Sequence, residues 1–135
     1  MESRFVVRDF TLNDLERVKE LHEQSAIDYR FPNLASPLFV VLKVLERDGV
    51  IQACGGIYLQ GEAYIFLAKD GWHDPAEKLS AVHILDGVVL HEAWMKGIDQ
   101  ACVFLPPGME RFGERLEELG WSKDRPWTTF SKRTS

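Results

Sequence analysis

Glu117-Glu118-Leu119-Gly120-Trp121 is the stretch on which the reading of the fold turns. Met109, Phe112, Leu116 and Leu119 precede the glycine at helical spacing and form an apolar stripe. Gly120 is the natural C-cap, because the position after a helix takes a left-handed backbone that glycine adopts without steric cost. Upstream, Ala101-Cys102-Val103-Phe104-Leu105 reads as a short apolar strand stopped by Pro106-Pro107-Gly108. Before it, Asp74 can cap a helix with Pro75 at its first position, where the missing N–H is not needed. That helix is predicted to run from Pro75 to Lys96 and stop at Gly97. Leu79, Val82, Leu85, Val89 and Ala93 form one stripe. Ala81, Ile84, Val88 and Trp94 broaden it, so the helix is expected to be heavily buried.

The N-terminal half reads just as clearly. Phe5-Val6-Val7-Arg8 is a first strand. Thr11 can cap a helix reaching about Gln24, with Asp14 three residues on to return a bond and Phe10 and Leu15 as a hydrophobic staple. From Asp28 to Pro37 the chain is irregular. Tyr29-Arg30-Phe31 either lines a pocket or pins the loop to the core. Phe39 to Leu45 is a strand, Asp48-Gly49 a hairpin turn, and Val50 to Leu59 its partner, with Gly55-Gly56 marking a bulge or a close backbone approach. A turn near Gln60-Gly61 leads to a third strand, Ala63 to Ala68, which completes an antiparallel meander. Trp127 to Phe130 is expected as a last strand before the polar tail Lys132-Arg133-Thr134-Ser135.

Bulk properties bound the function. With 135 residues, the chain suits a single domain over residues 1–135. A net charge of −5 argues against a general binder of nucleic acid or anionic membrane. No apolar run approaches the roughly 18 residues of a membrane span. The start, Met1-Glu2-Ser3-Arg4, lacks signal-peptide character, so a cytoplasmic location is expected. Cys54 and Cys102 lie in apolar runs and read as buried free thiols before a disulfide or catalytic thiol.

The order β-α, three strands, long α, β, α, β resembles the GNAT family of acyl-CoA N-acyltransferases. Val7-Arg8 with Asp14 and Leu15, Lys96-Gly97 before Ala101 to Leu105, and Glu117 to Trp121 carry the likeness. The resemblance implies an α+β, GNAT-like fold with a mixed, mostly antiparallel central sheet and helices on both faces. It also implies acetyl or another acyl transfer from acyl-CoA, as co-substrate, to an amine on a small molecule or protein by direct attack. The backbone of Ile65, Phe66, Leu67 and Ala68 would pair with the pantetheine arm. Tyr29, Arg30 and Phe31 would meet the acceptor.

Two departures stand against the family pattern. Its glycine-rich segment, whose N–H groups hold the pyrophosphate, corresponds to Glu77-Lys78-Leu79-Ser80-Ala81-Val82, which has no glycine. Small Ser80 and Ala81, the backbone at Val82 and the charge of Lys78 are the candidates there. The family's tyrosine acid, four residues before the final glycine, is Leu116 here; Ser122 and Tyr64 are weak substitutes. Glu62, Asp70 and His73 flank the fourth strand, where a general base is expected. His91-Glu92 lacks the second histidine of a zinc motif, and His83 and His91 are too far apart to share ligand spacing, so no metal is expected. The double departure leaves an alternative: a catalytically inactive GNAT-like binding or assembly module, with a homodimer as one form.

Overall fold

Hydrogen bonding around Thr11 fixes the first turn of the chain. The computed structural model describes residues 4–25 and 29–134. Met1, Glu2, Ser3, Asp28 and Ser135, read above from sequence, lie outside the described residues. The Asp14 carboxylate accepts the Thr11 N–H at 2.8 Å and the Thr11 hydroxyl at 3.2 Å. A 3-10 turn, Leu12–Asp14, then passes into α1, Leu15–Ser25. Arg8, on β1 (Phe5–Asp9), clamps Asp14 with both terminal nitrogens, at 2.8 and 2.9 Å. Its Nε reaches Glu46 at 2.9 Å on the next strand.

That strand is β2, Phe39–Arg47, joined to β3, Val50–Tyr58, through Asp48-Gly49. Asp48 and Gly49 have φ of 52° and 85°, the pair of positive values that lets a two-residue turn match the twist of its strands. β1, β2 and β3 form an antiparallel sheet in that order. The register slips twice, between Phe39 and Val41 and between Leu45 and Glu46. Gly56 is the expected close approach: a Cβ there would lie 2.5 Å from the Val41 carbonyl oxygen and 2.8 Å from Leu42 Cδ1. Gly55 faces open space.

The fold is therefore α+β, with a three-stranded antiparallel sheet, a two-stranded pair and three α-helices among the described residues. The chain divides into two compact units. The first holds residues up to Gly61 and returns for His91–Ala101. Its core is Val18, Leu34, Val44 and Ile51, with Phe10, Leu15 and Phe31 packed against them. Arg17 Nε bonds the Ile51 carbonyl at 3.0 Å and ties α1 to β3. The second unit holds Glu62–Leu90 and the chain from Cys102 onward.

α2, Pro75–Met95, starts as its residues predict: Asp74 takes the Glu77 N–H at 2.8 Å. α2 and α3 (Glu110–Glu118) end alike. Gly97 N–H reaches the Trp94 carbonyl and Ile98 N–H that of Ala93; Gly120 N–H reaches Glu117 and Trp121 N–H reaches Leu116. Both are Schellman ends with glycine at positive φ, 92° and 98°.

Three expectations need correction. The strand expected over Ala63 to Ala68 pairs only at its start: β4 is Gly61–Glu62. Its partner β5 is Ala101–Cys102, so the strand expected to reach Leu105 is short too. No strand forms over Trp127 to Phe130, where Trp127 N–H folds back to the Arg125 carbonyl at 2.8 Å across Pro126. α2 is not heavily buried: Val82 is its only buried residue, and Ile84 is 68% exposed.

Two measurements test these contacts. Gly56→Ala should cost about 1–3 kcal/mol in urea unfolding through overpacking, whereas Gly55→Ala should change stability by less than about 0.5 kcal/mol. The Arg8 clamp and the Thr11 N–H hold the Asp14 carboxyl well below the usual carboxylate range. Its stabilising contribution is complete above the unfolded pKa, about 4, and is lost as pH falls below that toward the folded value. Asp14→Asn should lower the thermal midpoint by several degrees at neutral pH, and its gap from the parent should close below about pH 4.

Candidate functional site

β4 and β5 run parallel. Gly61 N–H bonds the Gln100 carbonyl at 2.9 Å, and Ala63 N–H bonds the Cys102 carbonyl at 2.7 Å. The ladder is short, with β4 ending at Glu62 and β5 at Cys102. In the second unit a cavity of about 220 Å³ lies between Ala63-Tyr64-Ile65 and Val103-Phe104-Leu105. α2 adds Val82, Leu85 and Val89 to its wall, and α3 adds Phe112 and Leu116. Burial alternates from Gly61 to Ala68 as along a strand, with Ala63, Ile65 and Leu67 on the more buried side.

One charged side chain lies in this apolar wall. Asp86, on α2, accepts the Trp121 indole N–H at 2.9 Å. The Schellman end of α3 puts Trp121 there, just after Gly120. Sequence reading misses the pair; the available signal is an aspartate lodged between Leu85 and Val89. Tyr64, a weak substitute on sequence grounds, also stands in the wall. Its neighbour two residues back is Glu62, and period-two geometry brings both to one side of an extended chain. The hydrogen bond to Glu62, then its charge, pushes the Tyr64 hydroxyl pKa up. The Tyr64 ring stacks on Phe66, centroids 6.4 Å apart.

The other expected residues are scattered. Asp70 is exposed in the loop before α2. His73 is exposed and lies 3.7 Å from Glu77 on the same segment. Lys78 N–H bonds the Asp74 carbonyl at 3.4 Å. Ser80, Ala81 and Val82 sit in the second turn of α2, past the first amides that a helix start leaves available. Ile65 and Val82 meet at the cavity, while Phe66 is exposed and Leu67 and Ala68 lie outside the lining. Trp72 donates its indole N–H to the Ala68 carbonyl at 2.8 Å.

Tyr29, Arg30 and Phe31 belong to the first unit. His22 gathers two of them: its ring meets Phe31 edge-on at 5.3 Å, and its Nε2 lies 2.9 Å from the Tyr29 carbonyl. Phe31 also packs on the core and lines a groove with Leu12, Leu15 and Lys19. Phe31 thus both lines a pocket and pins the loop. Arg30 is exposed.

Burial pushes both thiols, Cys54 and Cys102, above the ordinary cysteine range, which keeps them in the un-ionised, weakly nucleophilic form. Ser122 and His83 are exposed. His91 stacks on Trp94. No group of three or more His, Cys, Asp or Glu among the described residues is placed to hold a metal ion. No helix there is long and apolar enough to cross a membrane. The chain matches no protein-family model and no curated protein.

The Glu62–Tyr64 pair can be tested directly. Glu62→Gln removes the charge that resists ionisation, so Tyr64 should titrate at lower pH, closer to about 10. Alkaline ultraviolet titration of the parent, this variant and Tyr64→Phe checks it.

Proposed function

We propose that the chain is a divergent acyl-CoA-dependent N-acyltransferase of GNAT type, acting on a small-molecule or protein amine. The observation that carries this reading is the short parallel β4–β5 pair, two residues on each strand, beyond which an apolar cavity lies between the continuing segments. A ladder that stops beside a cavity leaves main chain that an extended ligand can complete as an added strand. Pantetheine, a linear arm with two amides, is such a ligand, and Ile65 to Ala68 offer the main chain.

The chemistry then runs as follows. The amine lone pair attacks the thioester carbonyl carbon, and main-chain N–H groups beside it stabilise the developing oxyanion. The C–S bond breaks. The nitrogen gives up one proton and the sulfur gains one, leaving an amide and free CoA. Glu62 is the carboxylate coupled to the cavity wall and takes the amine proton. Tyr64, a phenol that carries its proton at neutral pH, supplies the proton to sulfur. Asp70 and His73 face solvent and have no step here. Lys78, near the start of α2, supplies positive charge for the CoA phosphates, replacing part of what the missing glycines do elsewhere.

A second reading, an assembly module, draws on one observation: Ile84 and Val88 of α2 are more than half exposed. Apolar side chains at that spacing form a stripe suited to a partner helix.

Calorimetric titration with acetyl-CoA and with free CoA should give micromolar binding of both. No heat from either would overturn the enzymatic reading. A stable dimer in sedimentation, with no CoA binding, would instead favour the assembly module.

A further inference from the structure

We propose that the acyl group suited to this site is a medium-length apolar chain of about eight carbons, seated in the cavity of the second unit. The inference rests on the acyl-CoA reading and concerns the same site. It starts from size. An apolar cavity of about 150 Å³ accommodates benzene, or roughly 25 Å³ per carbon. The cavity here is about 220 Å³, enough in proportion for eight or nine carbons. An acetyl group, with its single methyl, would leave most of that space without contacts, and unfilled apolar space forfeits dispersion on every wall.

The chemistry of the wall agrees with the size. Ile65, Val82, Leu85, Val89, Phe104 and Leu116 present hydrocarbon surface from four segments of chain. Among the described residues, no lysine, arginine or histidine lines the cavity, so nothing there would hold a charged head group. The carboxylate of Asp86 is already engaged by the Trp121 indole N–H. The Tyr64 phenol is 70% exposed and the Phe104 ring 66%, so these two side chains mark the mouth. A chain whose hydrocarbon end lies inside and whose polar carbonyl end lies at the mouth fits this distribution. A thioester entering that way has its reacting carbon beside Tyr64 and its CoA moiety outside.

The test is calorimetric titration of the full chain with free CoA and with acetyl-, butanoyl-, hexanoyl-, octanoyl- and dodecanoyl-CoA. Affinity should rise about fourfold per methylene up to octanoyl, as each added group leaves water. It should level off by dodecanoyl, once the cavity is full. Equal affinity for acetyl- and octanoyl-CoA would overturn the inference and leave the acyl-CoA reading standing. No binding of any thioester would overturn both. Val89→Phe, which narrows the cavity, should remove most of the octanoyl advantage over acetyl-CoA. An undiminished octanoyl preference in the folded variant would overturn the seating of the chain in this cavity. The series on the unaltered protein decides the matter if that variant does not fold.

Discussion

The Arg8–Asp14 pair is the constraint on which the first unit depends. One carboxylate, only 7% exposed, takes two guanidinium nitrogens, a main-chain N–H and a hydroxyl. A buried anion is tolerated when its lone pairs are filled in this way. The cation is shared with Glu46, so one side chain joins the first strand, the start of α1 and the second strand. The entry angle of α1 follows from that joint. Val18 then reaches Val44 and Ile51 in the core, and Arg17 reaches the β3 backbone.

Much of this is legible in the residues. Thr11 with Asp14, Asp48-Gly49, Asp74-Pro75, Gly97 and Gly120 are punctuation whose meaning is local, and each does what local rules say. The Gly55-Gly56 pair is legible as an event, though only the fold separates the crowded Gly56 from the open Gly55. Strand pairing is less legible, because a strand needs a partner with free donors. Ala63 to Ala68 has the composition of a strand, but β5 ends too early to pair with it. Trp127 to Phe130 fails for a neighbouring reason: a turn across Pro126 captures the tryptophan amide first. The breadth of the α2 stripe suggests burial, yet the same residues are what an uncovered apolar helix displays.

The candidate site is legible in fragments. Glu62, Ile65 and Val82 stand out in the sequence and take part in or adjoin the cavity. Asp86 and Trp121, 35 positions apart, are beyond the reach of sequence patterns because their contact exists only after α3 has turned back at Gly120. The glycine that decides the reading of the fold thus has a second effect. Its left-handed backbone directs the following indole toward the one carboxylate that the described residues place in the cavity wall.

The division of the chain has a bearing on its synthesis. The first unit is left at Gly61 and re-entered at His91. Its hairpin, built on near neighbours, can close within microseconds of leaving the ribosome. The bond from the Tyr58 hydroxyl to Asp99, at 2.8 Å, and that from Gly61 to Gln100 must wait some forty residues more. At a synthesis rate of about 5–20 residues per second, that interval lasts seconds. Throughout it the nascent first unit presents the ends of β3 and β4 without the segment that finishes them. A newly made chain therefore passes through an unfinished state set by the path of the polypeptide, and the segment around Asp99 is the stitch that closes it.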